Sequence, residues 1–262
     1  MIESKLEALA PAVARAWSAF DTAASLSSRV VPGAPILFFG DIEAYLASPL
    51  RVLTVGLNPS LHEFPPGEPF RRFPLLASDR DRAPGRYLDA MSAYFRTDPY
   101  RSWFNTFEPL LNGAGASYYG ASVSIAIHTD ICSPVATSPT WSKLDRTDRK
   151  ALEDDGGRLW HMLLDKLQPQ IVMLSVARGY LQRIEFAPMN EWRPIQIFEK
   201  TGDGKPRSQP YKVCARWWQV GGAPSLFVFG PAAQRPFGLL ADKQKCEAGR
   251  IALKEFEDAR IP

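Results

Sequence analysis

The chain is poor in the two residues that most often build metal and thiol chemistry. Its 262 residues include three cysteines and three histidines. Cys132, Cys214 and Cys246 stand far apart, with no Cys-x-x-Cys spacing. That argues against a zinc or iron–sulfur site and suits a reducing compartment. Three histidines make a poor basis for an imidazole metal centre. Neither a metal nor a cofactor is therefore expected. No apolar run approaches the roughly 18 residues of a membrane span. The opening segment "MIESKLEALAPAVARAWSAF" lacks the apolar stretch of a signal peptide. A cytoplasmic monomer with no membrane partner is the expectation. A strong charge of one sign is missing too. With 31 basic and 28 acidic residues the net charge is +3, which permits an anionic partner without demanding one. Familiar signatures also fail. "GAGASYYG" has the wrong spacing for a dinucleotide fingerprint. "GDGKP" lacks the first glycine and the Ser/Thr of a P-loop. No Gly-x-Ser-x-Gly elbow exists.

What is present is an α/β pattern. Hydrophobic residues make up 45% of the chain, enough for a substantial core. Residues 4–25 read as a helix. Ser4 and Glu7 suit a capping box, Pro11 should bend the helix or delay its start, and Leu6, Leu9, Val13, Trp17 and Phe20 recur at helical spacing. Strands are expected at 51–55, 121–127, 170–176 and 226–230. Helices are expected at 87–112, in two pieces broken near Asp98-Pro99, at 147–168 and at 242–259. Residues 194–200 and 211–220 read as hairpin arms around "TGDGKPRSQP". Residues 61–86, rich in Pro, Arg and Phe without a clear period, read as a long functional loop. No repeat or domain boundary is legible, so residues 1–262 are expected to form one domain with an N-terminal helical extension over about 1–45. Short strands alternating with helices predict a three-layer α/β/α fold on a central, mostly parallel four-stranded sheet.

Such sheets bind ligands outside the carboxyl ends of their strands. Three polar stretches sit at those ends: Gly56-Leu57-Asn58-Pro59, His128-Thr129-Asp130, and Gly230-Pro231-Ala232-Ala233-Gln234-Arg235. They are expected to converge on one crevice.

Their order along the chain resembles the uracil-DNA glycosylase superfamily. "VGLNPS" resembles its first motif, Gly-x-Asn/Asp-Pro after a strand. "IHTDICSP" is similar to the strand end that carries "TN" in many members. "LLDKLQPQIVMLSV" resembles the helix, turn and strand before the last motif. "FGPAAQRPFG" resembles the closing His-Pro-Ala-Ala…Arg or His-Pro-Ser loop with its histidine absent, and "WFNTFEPLLNGAG" the family's aromatic helix and turn. The resemblance spans roughly residues 50–258.

The resemblance implies hydrolysis of the bond between a flipped-out base and its sugar, on single- or double-stranded DNA. The reaction builds positive charge on the sugar and negative charge on the departing base. It needs a placed water, a held base and a stabilised leaving anion. Asn58 is the candidate for placing the water: its amide oxygen accepts a hydrogen bond but takes no proton. Pro59 restricts Asn58 to extended geometry, and Gly56 permits close backbone approach. The plainer reading of Asn58 is a helix cap or turn residue. Gly56 and Leu57 fall in the base-binding position. Phe70 and Phe73 are candidates for stacking on the base, Phe70 preferred, with a buried loop anchor as the alternative for each.

Two departures from the family matter most. Asp130 stands where asparagine is usual. Ionised, it only accepts, which favours an amino group such as that of a cytosine-like base over a carbonyl. It also suits a structural role, pairing with His128 or capping Cys132. Gly230 stands where a histidine or asparagine usually donates to the departing base. A backbone N–H from 231–235, Pro231 having none to give, or His62 or His128 is the candidate substitute; the alternative is activity that is slow, shifted or absent. Ser60, Gly230, Pro231, Ala232, Gln234 and Arg235 are the implied DNA contacts, Gln234 and Arg235 lying where the family inserts a wedge and meets phosphate. Lys200, Lys205, Arg207, Lys212 and Arg216, against Asp203 alone, form a basic stretch that suits a nucleic-acid backbone or a solvated face. Two other readings stand beside this one. One is a non-catalytic nucleic-acid-binding module on the same fold. The other is an unrelated hydrolase using Ser60 or Cys132.

Overall fold

The computed structural model describes residues 6–78, 82–233 and 235–259. Its helices are α1 (Ala10–Leu26), α2 (Ile42–Ala47), α3 (Pro84–Ser92), α4 (Arg101–Phe104), α5 (Glu108–Gly113), α6 (Arg146–Leu167) and α7 (Asp242–Asp258). Its strands are β1 (Val52–Gly56), β2 (Ala116–Ser117), β3 (Ser124–Ile125), β4 (Ile127–Asp130), β5 (Ile171–Leu174), β6 (Ala187–Pro188), β7 (Arg193–Lys200), β8 (Pro206–Val220) and β9 (Ala223–Phe229). The protein is α/β, with a mixed sheet flanked by helices. Among the described residues no helix is long and apolar enough to cross a membrane. The chain divides into two compact units. The first comprises Met1–Ala47, Gly56–Tyr100 and Ile127–Leu167, the second Ser48–Val55, Arg101–Ala126 and Gln168–Pro262.

In the first unit α1 packs on α6. The buried face of α1 is Ala12, Val13, Ala16, Ala19 and Ala23, small residues that let the partner helix approach closely. The buried apolar stripe of α6 holds Leu159, Trp160, Leu163, Leu164 and Leu167. Pro11 falls at the first turn of α1, where its missing N–H costs nothing. Of the expected capping pair, Ser4 lies outside the described residues. A second apolar cluster is aromatic. Phe73 is stacked between Phe64 and Tyr94 at ring separations of 5.5 and 5.3 Å, and Phe39 closes on Tyr94 at 4.7 Å.

In the second unit the strands run in the order β1-β5-β9-β8-β6, with β7 also on β8. β1, β5 and β9 are parallel; β8 runs antiparallel to β9, and β6 and β7 antiparallel to β8. β1 and β5 are buried on both faces, which accounts for their unbroken apolar runs. The sheet is thus wider and more mixed than the expected four strands. The two hairpin arms join it instead of standing apart, because the long strand β8 continues straight from the hairpin into pairing with β9. The strand expected at 121–127 is also corrected. Ser124–Ile125 pairs in parallel with β2, and a separate strand, β4, begins at Ile127. The apolar run "SIAI" conceals this change of partner. α5 and α7 complete the unit, crossing at glycines.

Candidate functional site

Asn58 is held by its amide. Its Nδ2 donates to the carbonyl of Val135 at 3.0 Å and to Thr137 Oγ1 at 3.1 Å. Both amide hydrogens are engaged, so the side chain cannot flip. Its Oδ1 accepts no hydrogen bond from the described residues. The cap of the following short helix (61–63) is Ser60, whose Oγ accepts from the His62 N–H at 3.2 Å. Asn58 therefore does not cap that helix. It ties the end of β1 to the 135–137 loop, and it presents a carbonyl oxygen in a fixed orientation. The backbone beside it is equally constrained. Ile131 N donates to Gly56 O and Cys132 N to Leu57 O, at 3.1 and 2.9 Å.

Gly56 is glycine because two side chains lie against it. A Cβ at this position would stand 2.5 Å from Asp130 Oδ1 and 3.1 Å from His128 Nε2. His128 and Asp130, two apart on β4 and hence on one face, bring Nε2 and Oδ1 to 3.6 Å. Both are buried, and the His128 ring lies 5.7 Å from that of Phe39. Asp130 thus takes the His128 partner, and not Cys132, whose backbone N–H goes to Leu57.

Sequence reasoning missed the most perturbed acid nearby. Glu63 is 2% exposed. Burial raises its pKa to about 8, against the lowering effects of a hydrogen bond from Tyr94 and the charge of Arg72; Asp130 and Asp98 add a smaller push upward. Its carboxyl is therefore largely protonated at neutral pH. The Tyr94 hydroxyl donates to Glu63 Oε2 at 2.6 Å and accepts from the Tyr100 N–H at 2.9 Å. Arg72 stands 3.8 Å from the same carboxyl, donates to His62 O at 3.0 Å and to Asp98 O, and lies over the Tyr100 ring. This network pins the 61–73 loop to the 94–100 segment. The available signal was an acid set between Leu61 and Phe64 inside an aromatic-rich loop.

The other candidates fall as follows. Phe73 is fully buried with both ring faces covered, so its place is that of a loop anchor. Phe70 is half-buried and meets Phe64 edge-on at 6.4 Å. His62 is exposed, its ring 5.0 Å from Tyr100. Leu57 is half-buried, and Cys132 is completely buried.

The closing motif belongs to the second unit. Gly230 has no room for a side chain. An added Cβ would fall 2.1 Å from the ring of Phe237, which is itself fully buried at a backbone φ of 48°. Ser175 fastens the two: its Oγ donates to Gly230 O at 3.2 Å and accepts from Phe237 N at 2.8 Å. Pro231 is held through its carbonyl by the Tyr211 hydroxyl at 2.8 Å, and Ala232 is exposed. Gln234 lies outside the described residues. Arg235 is exposed and lines a cavity of about 390 Å³. The basic hairpin is less available than its sequence suggests. Lys205 pairs with Asp203 at 2.9 Å, Arg207 donates to Lys200 O and Leu239 O, and Arg216 lies over Trp218 and beside Glu191.

No protein-family model matches the chain, and no curated protein matches it significantly in sequence.

Proposed function

We propose that the chain is a DNA glycosylase with the three-layer, uracil-DNA glycosylase-like fold. Its reaction hydrolyses the bond between a flipped-out pyrimidine, damaged, mismatched or modified, and its deoxyribose. The observation that carries this reading is the locked Asn58 amide, with both hydrogens engaged and Oδ1 without a donor among the described residues. A water accepted there is oriented without being deprotonated. Its oxygen bonds to the sugar carbon as the carbon–nitrogen bond breaks, the bonding pair leaves with the base, and the surplus proton passes to solvent. Such a dissociative displacement asks for orientation more than for a strong base. The Asp130–His128 pair beside Gly56 is the candidate reader of the base. The half-buried Phe70 is the candidate stacking ring, and Arg235 the candidate phosphate contact.

One observation favours a second reading, a non-catalytic nucleic-acid-binding module. Phe237 fills the space that a side chain at 230 would need, so no imidazole or amide can stabilise the departing base from that position.

An excision assay separates the two. Oligonucleotides carrying uracil, mismatched thymine, hypoxanthine or substituted cytosines, single- and double-stranded, are incubated with the protein, and abasic sites are revealed by alkali. A glycosylase cleaves at least one substrate, and Asn58→Ala lowers that rate by about 10²-fold or more while DNA binding persists. Excision unchanged in Asn58→Ala would remove Asn58 from the mechanism. Salt-sensitive binding without excision of any base would establish the second reading.

A further inference from the structure

The cavity lined by Arg235 carries an unusual charge balance. Arg101, Arg235 and Lys245 contribute three cations to it, and Asp242 one carboxylate. Ser102, Asn105 and Thr106 add neutral polar groups, and all of these residues belong to the second unit. Lys245 is 4% exposed. Its Nζ donates to Thr106 O at 2.9 Å, which leaves two of its three N–H donors without a partner among the described residues. Burial draws its pKa below the usual lysine value, opposed by the charge of Asp242 and reinforced by that of Arg235. Arg101 rests on the Tyr119 ring at 4.8 Å, and Tyr119 donates to Asn105 at 2.8 Å, which fixes this wall of the cavity. Neither Arg101 nor Arg235 makes an ion pair with a carboxylate among the described residues. α7 starts at the same place. Its cap residue, Ala241, makes no side-chain cap hydrogen bond, and Asp242 and Lys245 of its first turn line the cavity, which puts the positive end of the helix dipole beside it.

A buried lysine with spare donors, two arginines without counter-ions and a helix N-terminus make an anion seat. Three positive charges against one negative leave two to neutralise. We propose that this cavity binds a phosphomonoester dianion, either free, as phosphate or a nucleotide, or as the terminal phosphate of a nucleic-acid strand. A backbone phosphodiester carries one charge and would leave the site half neutralised. The site shares Arg235 with the glycosylase reading, but neither the binding nor its test depends on base excision, so failure of one is distinguishable from failure of the other.

The test is calorimetric titration of the full chain with inorganic phosphate, and with one short single-stranded oligonucleotide carrying either a 5′-phosphate or a 5′-hydroxyl, all at constant ionic strength. Saturable binding near one equivalent is expected, weakened about tenfold or more in Arg101→Gln and in Lys245→Met. Arg101 is exposed, so its variant keeps the test decisive if Lys245→Met does not fold. Tighter binding of the phosphorylated oligonucleotide identifies a strand end as the source. Saturation by phosphate with equal affinity for the two oligonucleotides identifies a free ligand. Non-saturating phosphate heats together with equal affinity for the two oligonucleotides would overturn the proposal, as would an Arg101→Gln variant that binds phosphate like the parent.

Discussion

At the scale of single residues, two glycines leave no room for a side chain, and burial holds one acid neutral. Gly56→Ala places a methyl 2.5 Å from Asp130 Oδ1, and both side chains facing it are buried. A loss of about 1–3 kcal/mol is expected, read as a lower melting temperature. Gly230→Ala meets the Phe237 ring in the same way, so its cost should shrink when Phe237 is trimmed to Leu. Additive losses in the double variant would show that the ring is not the obstacle. Glu63 makes the pH prediction. Its folded pKa is about 8, against an ordinary value of 4.5. Between those values the folded chain holds a proton that the unfolded chain has released. The stabilisation from this group is therefore full below about pH 4.5 and is lost as pH rises towards 8. Its scale is a few kcal/mol at most. Glu63→Gln removes the titration yet can still accept from Tyr94. Urea midpoints compared at about pH 5 and pH 8.5 should show the parent losing ground to the variant. Parallel curves would mean that Glu63 does not titrate in this range.

At the scale of elements, α7 illustrates what pattern alone conveys. Lys245, Ala248, Gly249, Ala252 and Phe256 lie at helical spacing and are buried, and the helix spans nearly the expected 242–259. What pattern did not convey is how closely α7 meets α5. A Cβ on Gly249 would fall 2.0 Å from Leu110 O, and one on Gly113 2.0 Å from Cys246 O. These are backbone atoms, which cannot swing aside. Gly113→Ala or Gly249→Ala should force the helices apart and cost about 2 kcal/mol or more in thermal or denaturant unfolding. A neutral result would mean that the two helices can separate at this crossing without cost. The same division runs through the rest of the chain. α6 and strands β1, β5 and β9 were legible because their apolar runs answer to local periodicity. The split of 121–130 between β3 and β4 was not, since a change of pairing partner leaves no local mark. Asn58 and Gly56 were legible at a strand end, the one held extended by Pro59 and the other open to close backbone approach. Glu63 and Phe237 were not, because each owes its place to a residue distant in sequence: Tyr94 for one, Ser175 for the other.

At the scale of the molecule, charge is nearly balanced, and much of it is spent locally. The 31 basic and 28 acidic residues leave +3. Arginines pair with carboxylates at Arg71–Asp98, Arg82–Asp21, Arg96–Asp41 and Arg193–Glu255, and the basic hairpin is turned onto its own backbone and rings. Among the described residues this local pairing leaves fewer cations free to gather DNA from a distance. Binding must then rest on a few discrete phosphate contacts, on the order of two to four, with a slope of log affinity against log salt of about −2 to −4. Raising salt from 50 to 200 mM should weaken binding by roughly 16- to 250-fold on that slope. Fluorescence anisotropy of a labelled oligonucleotide across that salt range measures it. A slope steeper than about −6 would require an extended basic track, at odds with the local pairing of these charges. A slope near zero would mean that phosphates contribute nothing, and the nucleic-acid reading of Asn58, Arg235 and their neighbours would fall with it.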